Sequence, residues 1–200
     1  MSPCLRVSVS PWFNIPIIAE MHLDERVTQM SDRPLSKDAR YVLYWMQMYK
    51  RVDNNHALKF TVERANELRL PLVVYEGLKF YYPWASDRLH TFILEGVEEK
   101  TKEFEKLGIR YVFYLQANAH SPKQTVARLA KDAALIVTDD FPCFIIPEHN
   151  RRTAEKAKVP VFAVDSNGII PMSRFEKRRV RRLHDQAEDK PDPVGISSTF

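Results

Sequence analysis

A doubly wound α/β fold is predicted for this chain: a five-stranded parallel sheet with helices on both faces. Three observations predict it. Five short apolar runs rich in β-branched and aromatic residues begin near positions 41, 72, 110, 134 and 159, and helical stretches separate them. Their spacing is that of one βα unit after another. The length of 200 residues, with 44% hydrophobic and 28% charged residues, is that of one ordinary globular domain with short appendages.

Residues 1–40 read as an irregular leader, interrupted by Pro3, Pro11, Pro16 and Pro34. Tyr41–Met46 is aromatic, β-branched and almost wholly apolar, as a strand buried on both faces should be. A polar loop leads to a helix over 54–68, with Asn54 as its N-cap and Leu58, Val62, Ala65 and Leu68 on one face. Leu70-Pro71 ends it, because the residue before a proline avoids the α region. The second strand covers 72–75. Ser86 caps a long helix over 87–107, and Gly108 stops it. Its inner face reads Leu89, Ile93, Val97, Phe104 and Leu107, and Glu98 and Lys102 pair on the outside. The third strand is 110–115. Ser121-Pro122 opens a helix to about 131, a proline being tolerated in a first turn. The fourth strand is 134–138, Pro147 opens a helix to about 157, and the fifth strand is 159–164. The organisation is therefore a leader over 1–40, a folded domain over 41–172 and a charged tail over 173–200, read as a solvated helix running into disorder.

Several function classes are excluded by composition. The five glycines (Gly77, Gly96, Gly108, Gly168 and Gly195) are too dispersed for a Walker A loop or a G-x-G-x-x-G turn. No C-x-x-C or H-x-x-x-H exists, so no zinc site is expected. Cys4 and Cys143 make no disulfide framework, and a reduced, cytoplasmic setting is expected. The longest apolar run is far short of the ~20 residues of a membrane span, and Pro11 and Pro16 interrupt any signal-peptide core. Residues 1–19 carry one arginine and no acid, a weak transit-peptide pattern. The formal charge of +4 arises in one tract: Arg174, Lys177, Arg178, Arg179, Arg181 and Arg182 oppose Glu176 alone. The folded part is close to neutral, so its own surface is not expected to grip nucleic acid.

In open parallel sheets, ligands bind beyond the carboxyl ends of the strands where strand order reverses. With the order 3-2-1-4-5, that crevice lies between the first and fourth strands, lined by the loops 47–55 and 139–142. The candidates there are Trp45, Met46, Gln47, Asn54, Asn55, Asp139 and Phe141. Asn54 and Asn55 lie at a helix N-terminus, whose free N–H groups favour an anionic or polar group. The competing reading is that Asn54 only caps its helix and Arg51 only pairs with Asp53 or Asp139. Asp139-Asp140 reads as a turn or cap rather than a Mg²⁺ site, since adjacent strand residues point apart. Trp45 and Phe141 either flank a planar ring or belong to the core. Tyr81, Tyr82 and Trp84 form an aromatic cluster read as packing. The six histidines, His149 among them, are scattered and read as surface or structural. No catalytic group and no metal ligand can be assigned.

The loops nevertheless resemble a known family. Tyr-Val-Leu-Tyr-Trp-Met-Gln at 41–47, followed by Arg51-Val52-Asp53-Asn54-Asn55-His56-Ala57-Leu58, resembles the opening strand, loop and helix of DNA photolyases, in the form of the class II cyclobutane-dimer group and its bacterial relatives. Val137-Thr138-Asp139-Asp140-Phe141-Pro142 resembles that group's fourth strand and loop. The stretch from Val159 through Val164-Asp165-Ser166-Asn167-Gly168 to Pro171 resembles its fifth strand and following turn. The likeness covers roughly 40–172. The chain departs from it at Asp53-Asn54-Asn55-His56, where class II members usually have Glu-Asp-Asn-Trp, so a role of that second acid does not carry over.

The resemblance implies the N-terminal domain type of a two-domain protein. The family's N-terminal α/β domain can hold an antenna chromophore, a deazaflavin or a folate. Its C-terminal helical domain binds FAD, receives damaged DNA and splits the pyrimidine dimer with a light-driven electron. This chain has no counterpart of that second domain, so FAD, DNA and the helical packing partner belong to a parent protein. No catalytic residue transfers to any position here. Three other readings stay open: a free-standing nucleotide- or chromophore-binding module of the stress-protein type, a cryptochrome-like signalling relative, and DNA contact through the tract 174–182.

Overall fold

The computed structural model describes residues 23–82, 85–118, 120–122 and 125–174. A short helical turn α1 (Leu23–Arg26) runs directly into strand β1 (Val27–Gln29). There follow β2 (Tyr41–Met46), α2 (His56–Leu68), β3 (Leu72–Lys79), α3 (Asp87–Lys106), β4 (Arg110–Gln116), α4 (Thr125–Leu129) with a 3₁₀ turn (Ala130–Asp132), β5 (Ala133–Asp139), α5 (Ile146–Lys156) and β6 (Val161–Val164). The sheet order is β1-β6-β5-β2-β3-β4. The β2 to β6 strands pair in parallel and stand in the order 3-2-1-4-5, which the sequence left unread and on which the expected crevice was conditional.

The expectation of five strands needs correction: the sheet has six. Val27–Gln29, inside the expected irregular leader, pairs antiparallel with β6 through Val27↔Val164, Thr28↔Ala163 and Gln29↔Phe162. Three residues with only Val27 half-buried are too few to show an alternating pattern. The strand is held by its neighbour rather than by its own sequence. Residues 1–22 of the leader, Trp84 of the aromatic cluster and residues 175–200, with most of the basic tract, lie outside the described residues.

Alternation of side chains along the strands divides the core between two faces. Val42, Tyr44, Met46, Val74, Leu135 and Val137 pack with Leu58, Val62, Ala65 and Phe104 of α2 and α3. Leu43, Ile136 and Val161 pack on the other face with Ala154 of α5, joined by half-buried Trp45, Val73, Val126 and Leu129. β5 is buried along its whole length, as the centre of a sheet covered on both sides requires.

Helix ends follow side-chain chemistry more closely than the sequence reading did. α2 begins two residues later than expected, and its cap is Asn55, whose Oδ1 accepts from the Leu58 N–H at 3.0 Å. Asn54 instead turns the chain at φ 51°, a left-handed conformation that asparagine tolerates. Ser86 caps α3 as expected, its Oγ accepting from Leu89 N–H at 3.3 Å. Of the expected inner face of α3, Phe104 is buried, Ile93, Val97 and Leu107 are half-buried, and Leu89 is 39% exposed. β3 runs four residues longer than expected, to Lys79, and β6 begins two residues later, at Val161.

Candidate functional site

The order of strands reverses between β2 and β5, so the two loops that leave their carboxyl ends part and frame a crevice. Asp139, the last residue of β5, organises that crevice from beneath. It is wholly shielded from solvent. Its Oδ1 accepts from the Tyr44 hydroxyl at 2.7 Å, and its Oδ2 accepts three backbone N–H groups: Gln47 at 2.8 Å, Met48 at 2.6 Å and Tyr49 at 3.0 Å. Burial pushes its carboxyl above the ordinary aspartate range, and the hydroxyl and backbone donors oppose that shift. Asp139 thus ties the start of the 47–55 loop to the end of β5. The expected turn-or-cap role is what its oxygens perform.

Asn55 ties the other end of the same loop. Its Nδ2 donates to Tyr44 Oη at 3.0 Å, to the Tyr49 carbonyl at 3.1 Å and to the Arg51 carbonyl at 3.0 Å. Ser166 Oγ accepts from Ala57 N–H at 3.0 Å, which joins the head of α2 to the turn after β6. Arg51 does not pair with Asp53 or Asp139. Its guanidinium donates to the Ser166 carbonyl at 3.0 Å and the Asn54 carbonyl at 3.2 Å. That turn is held in place by Arg26, which is buried and donates to the carbonyls of Asp165, Asn167, Gly168 and Ile169. Asp165 in turn accepts from the N–H groups of Asn167 and Met172. Nothing in the local sequence separates Arg26 from a solvated leader charge.

Seven residues were candidates, and the structure brings all of them to the β2/β5 end. Met46, Asn55 and Asp139 are buried beneath it. Trp45, Gln47 and Phe141 are half-buried along it, and Asn54 is exposed at its rim. Trp45 stacks on His149, with ring centroids 5.9 Å apart and planes at 21°. Gln47 links Thr138, Asn150 and His149. On the opposite side, Tyr49 meets Phe141 edge-on at 6.3 Å, and Phe144 lies parallel to Phe141 at 6.3 Å. Phe144 is 77% exposed and has φ 59°, a conformation that costs a bulky residue about 1–2 kcal/mol. The Arg51 guanidinium lies over the Tyr49 ring at 5.6 Å. Aromatic rings and a few polar groups thus gather at this end of the sheet, a composition that suits contact with a flat ring system.

Two groups near this end escaped the sequence reading. His149 lies on α5, one residue before the buried Asn150. The second group is a charge cluster within β3, level with the end of β2. Glu76 is fully buried, and its carboxylate accepts from Lys50 Nζ at 2.8 Å, Lys100 Nζ at 2.5 Å and Tyr111 Oη at 2.6 Å. Burial raises the Glu76 pKa, but the charge of Lys50 and the hydrogen bonds from Lys100, Lys50 and Tyr111 outweigh it, leaving the carboxyl below the usual glutamate range. Four residues from four separate segments meet here, so no local motif could have shown it. Among the described residues no group of three His, Cys, Asp or Glu side chains could hold a metal ion, and no helix is long and apolar enough to cross a membrane.

No protein-family model matches the chain. It is similar to a deoxyribodipyrimidine photo-lyase of Methanothermobacter thermautotrophicus, 33% identical over 148 residues, which is 74% of this chain and 32% of that protein. A deoxyribodipyrimidine photo-lyase of Potorous tridactylus is 28% identical over 184 residues, 86% of this chain and 34% of that protein. The chain therefore spans about a third of the length of the relatives it matches. Among solved structures, a universal stress protein from Archaeoglobus fulgidus is similar at 20% identity with a TM-score of 0.44, covering 62% of this chain and 98% of that one. The likeness first carried by the loops around 41–58, 137–142 and 159–171 thus extends over most of the chain, which is similar to part of a photolyase.

Proposed function

We propose that this photolyase-like domain holds a planar antenna chromophore, a deazaflavin or a folate, in the crevice between β2 and β5, and that it serves light-driven repair of DNA in partnership with a helical FAD-binding domain. The observation that carries this reading is the sequence likeness to a photolyase over about three quarters of the chain. The residues present fit such a group. Trp45 with His149 supplies one aromatic wall, and Tyr49 with Phe141 supplies another. Asn54 supplies an exposed amide and Arg51 a cation at the rim, while the Gln47 amide holds His149 in place. Met46, Asn55 and Asp139 act from beneath by fixing the loop that carries Gln47 and Arg51.

A bound dye supplies absorption of light and dipolar transfer of the excitation to the flavin. The protein's part is rigid placement, because transfer depends on distance and on angle. Backbone anchoring by Asp139 and Asn55 at both ends of the 47–55 loop is suited to that task. In this reading, splitting of the pyrimidine dimer and contact with damaged DNA are assigned to the helical partner.

Absorbance and fluorescence titration of the chain with a deazaflavin and with a reduced folate tests the antenna role. Saturable binding of one of them, with a shifted absorption band, is expected. Failure of both to bind would refute it. A dimer-splitting assay on the chain joined to its flavin-binding partner separates repair from cryptochrome-like signalling: light-dependent splitting supports repair, and its absence with flavin bound supports signalling.

A further inference from the structure

The hydrogen-bond network beside Trp45 fixes the proton on His149. The carbonyl of Asp139 can only accept, and it accepts from Asn150 Nδ2 at 2.8 Å. The Asn150 amide is thereby oriented with Oδ1 toward Gln47. An amide oxygen can only accept, so the Gln47 atom facing it at 2.8 Å is Nε2. The second Nε2 hydrogen goes to Thr138 Oγ1 at 2.7 Å, whose own hydrogen goes to the Trp45 carbonyl at 3.1 Å. Gln47 Oε1 is left facing His149 Nδ1 at 3.1 Å, and that nitrogen must donate.

The imidazole is half-buried. Burial lowers its pKa first, then Lys79 and Arg152, against a smaller opposing influence of Glu148. At neutral pH the ring is therefore uncharged, with hydrogen on Nδ1 and a bare lone pair on Nε2. Nε2 makes no hydrogen bond to any described residue, and it is not among their enclosed, unpartnered polar atoms. It is therefore not sealed within the protein, and it belongs to the ring that stacks on Trp45.

We infer that His149 Nε2 is the acceptor that selects heteroaromatic ligands carrying an N–H or O–H edge in the crevice beside Trp45. The inference rests on the reading of the crevice as a dye site and adds to it the kind of ring edge the site demands. A pocket built to pair with a donor rejects the analogue that lacks one more strongly than an apolar pocket rejects a methyl group. His149 is a specificity residue in this scheme, and Asn150 and Gln47 are the positioning residues that keep its Nε2 lone pair bare.

Two measurements on the 200-residue chain test it. Long-range ¹H–¹⁵N correlation at pH 7 is expected to show His149 as the Nδ1–H tautomer, and a protonated Nε2 would overturn the inference. Titration with 5-deazariboflavin, which has a ring N–H, and with its N-methylated analogue is expected to give affinities differing by about tenfold or more. A His149→Phe variant keeps the stack, lacks the acceptor and is expected to bind the two alike, at the level of the methylated compound. Equal binding of both dyes to the unaltered chain would overturn the acceptor role while leaving the dye site standing. Binding of neither would overturn the dye reading and this inference with it.

Discussion

Asp139 ends β5 and Glu76 lies within β3 beside the last residue of β2, on the two strands that flank β2, and both carboxylates are closed off from solvent. They are held by opposite means. Asp139 has no cation beside it and is held by three backbone N–H groups and a tyrosine hydroxyl. Glu76 is held by two lysines and a tyrosine, from the 47–55 loop, α3 and β4. The first arrangement fixes the path of a loop, because the donors are the loop's own backbone. The second neutralises charge and pins side chains across a helix and two strands, leaving backbone paths to other forces. Loss of Asp139 should therefore be local, and loss of Glu76 should be global.

The largest effect expected is from Glu76→Gln. It leaves the nearly buried Lys100 ammonium without its counter-charge, and removal of one partner from a buried pair costs about 3–5 kcal/mol. Denaturant unfolding measures this, and a loss below ~1 kcal/mol would show that Lys100 finds water instead. Replacing the group as a whole, Glu76→Leu with Lys100→Met and Tyr111→Phe, should recover most of that loss, because an apolar set of similar volume is often as stable as a buried ion pair.

Asp139→Asn comes next. Its amide cannot accept at both positions, so some of the three N–H groups of 47–49 lose their partner, at a cost of about 1–3 kcal/mol. Hydrogen exchange should quicken at Gln47, Met48 and Tyr49 while the amides of β3 and β4 stay protected. Uniform loss of protection would erase the contrast between the two carboxylates.

Acid should distinguish them too. The folded pKa of Glu76 lies below its ordinary 4.5. Its contribution to stability is then complete above pH 4.5 and is lost as pH falls through the folded value. Stability followed by urea titration from pH 6 downward should drop below pH 4.5, and the drop should shrink in the triple apolar variant. An unchanged drop in that variant would assign it to other carboxyls.

Phe144→Gly has the smallest expected effect and the opposite sign. Relief of the left-handed backbone outweighs the entropy of glycine, and little packing is lost, so stability should rise by a few tenths to about 1 kcal/mol. A fall in stability would reveal packing that the exposed phenyl does not show.

The parts of this molecule that were legible in the sequence share one physical property: their signals are local. The β2 run is apolar on both faces because both faces are covered, and the Ser86 cap is a single side chain in front of its helix. The expected place of a site followed from one assumed strand order, 3-2-1-4-5, which is not readable in the sequence and which the sheet adopts. What stayed hidden depends on distant partners. Val27–Gln29 becomes a strand only beside β6, and Arg26 is buried only because the 165–169 turn folds over it. Glu76 lay just past the expected strand 72–75, and its lysines lie far away in sequence. His149 could be separated from a surface histidine only through the orientation of two amides. The Asn54 and Asn55 pair shows the limit within one motif: either can cap, and the choice is made by Tyr44 and Ser166, which reach Asn55 from elsewhere in the fold.

The most direct test of a ring-binding crevice between β2 and β5 is amide and side-chain NMR shift mapping during titration with a deazaflavin. Saturable shifts are expected at the Trp45 indole N–H, the Gln47 side-chain amide, the Phe141 backbone and His149, with the Glu76 cluster and α4 unmoved. Saturable binding whose shifts gather elsewhere on the domain, or no saturable shift at all, would contradict the account.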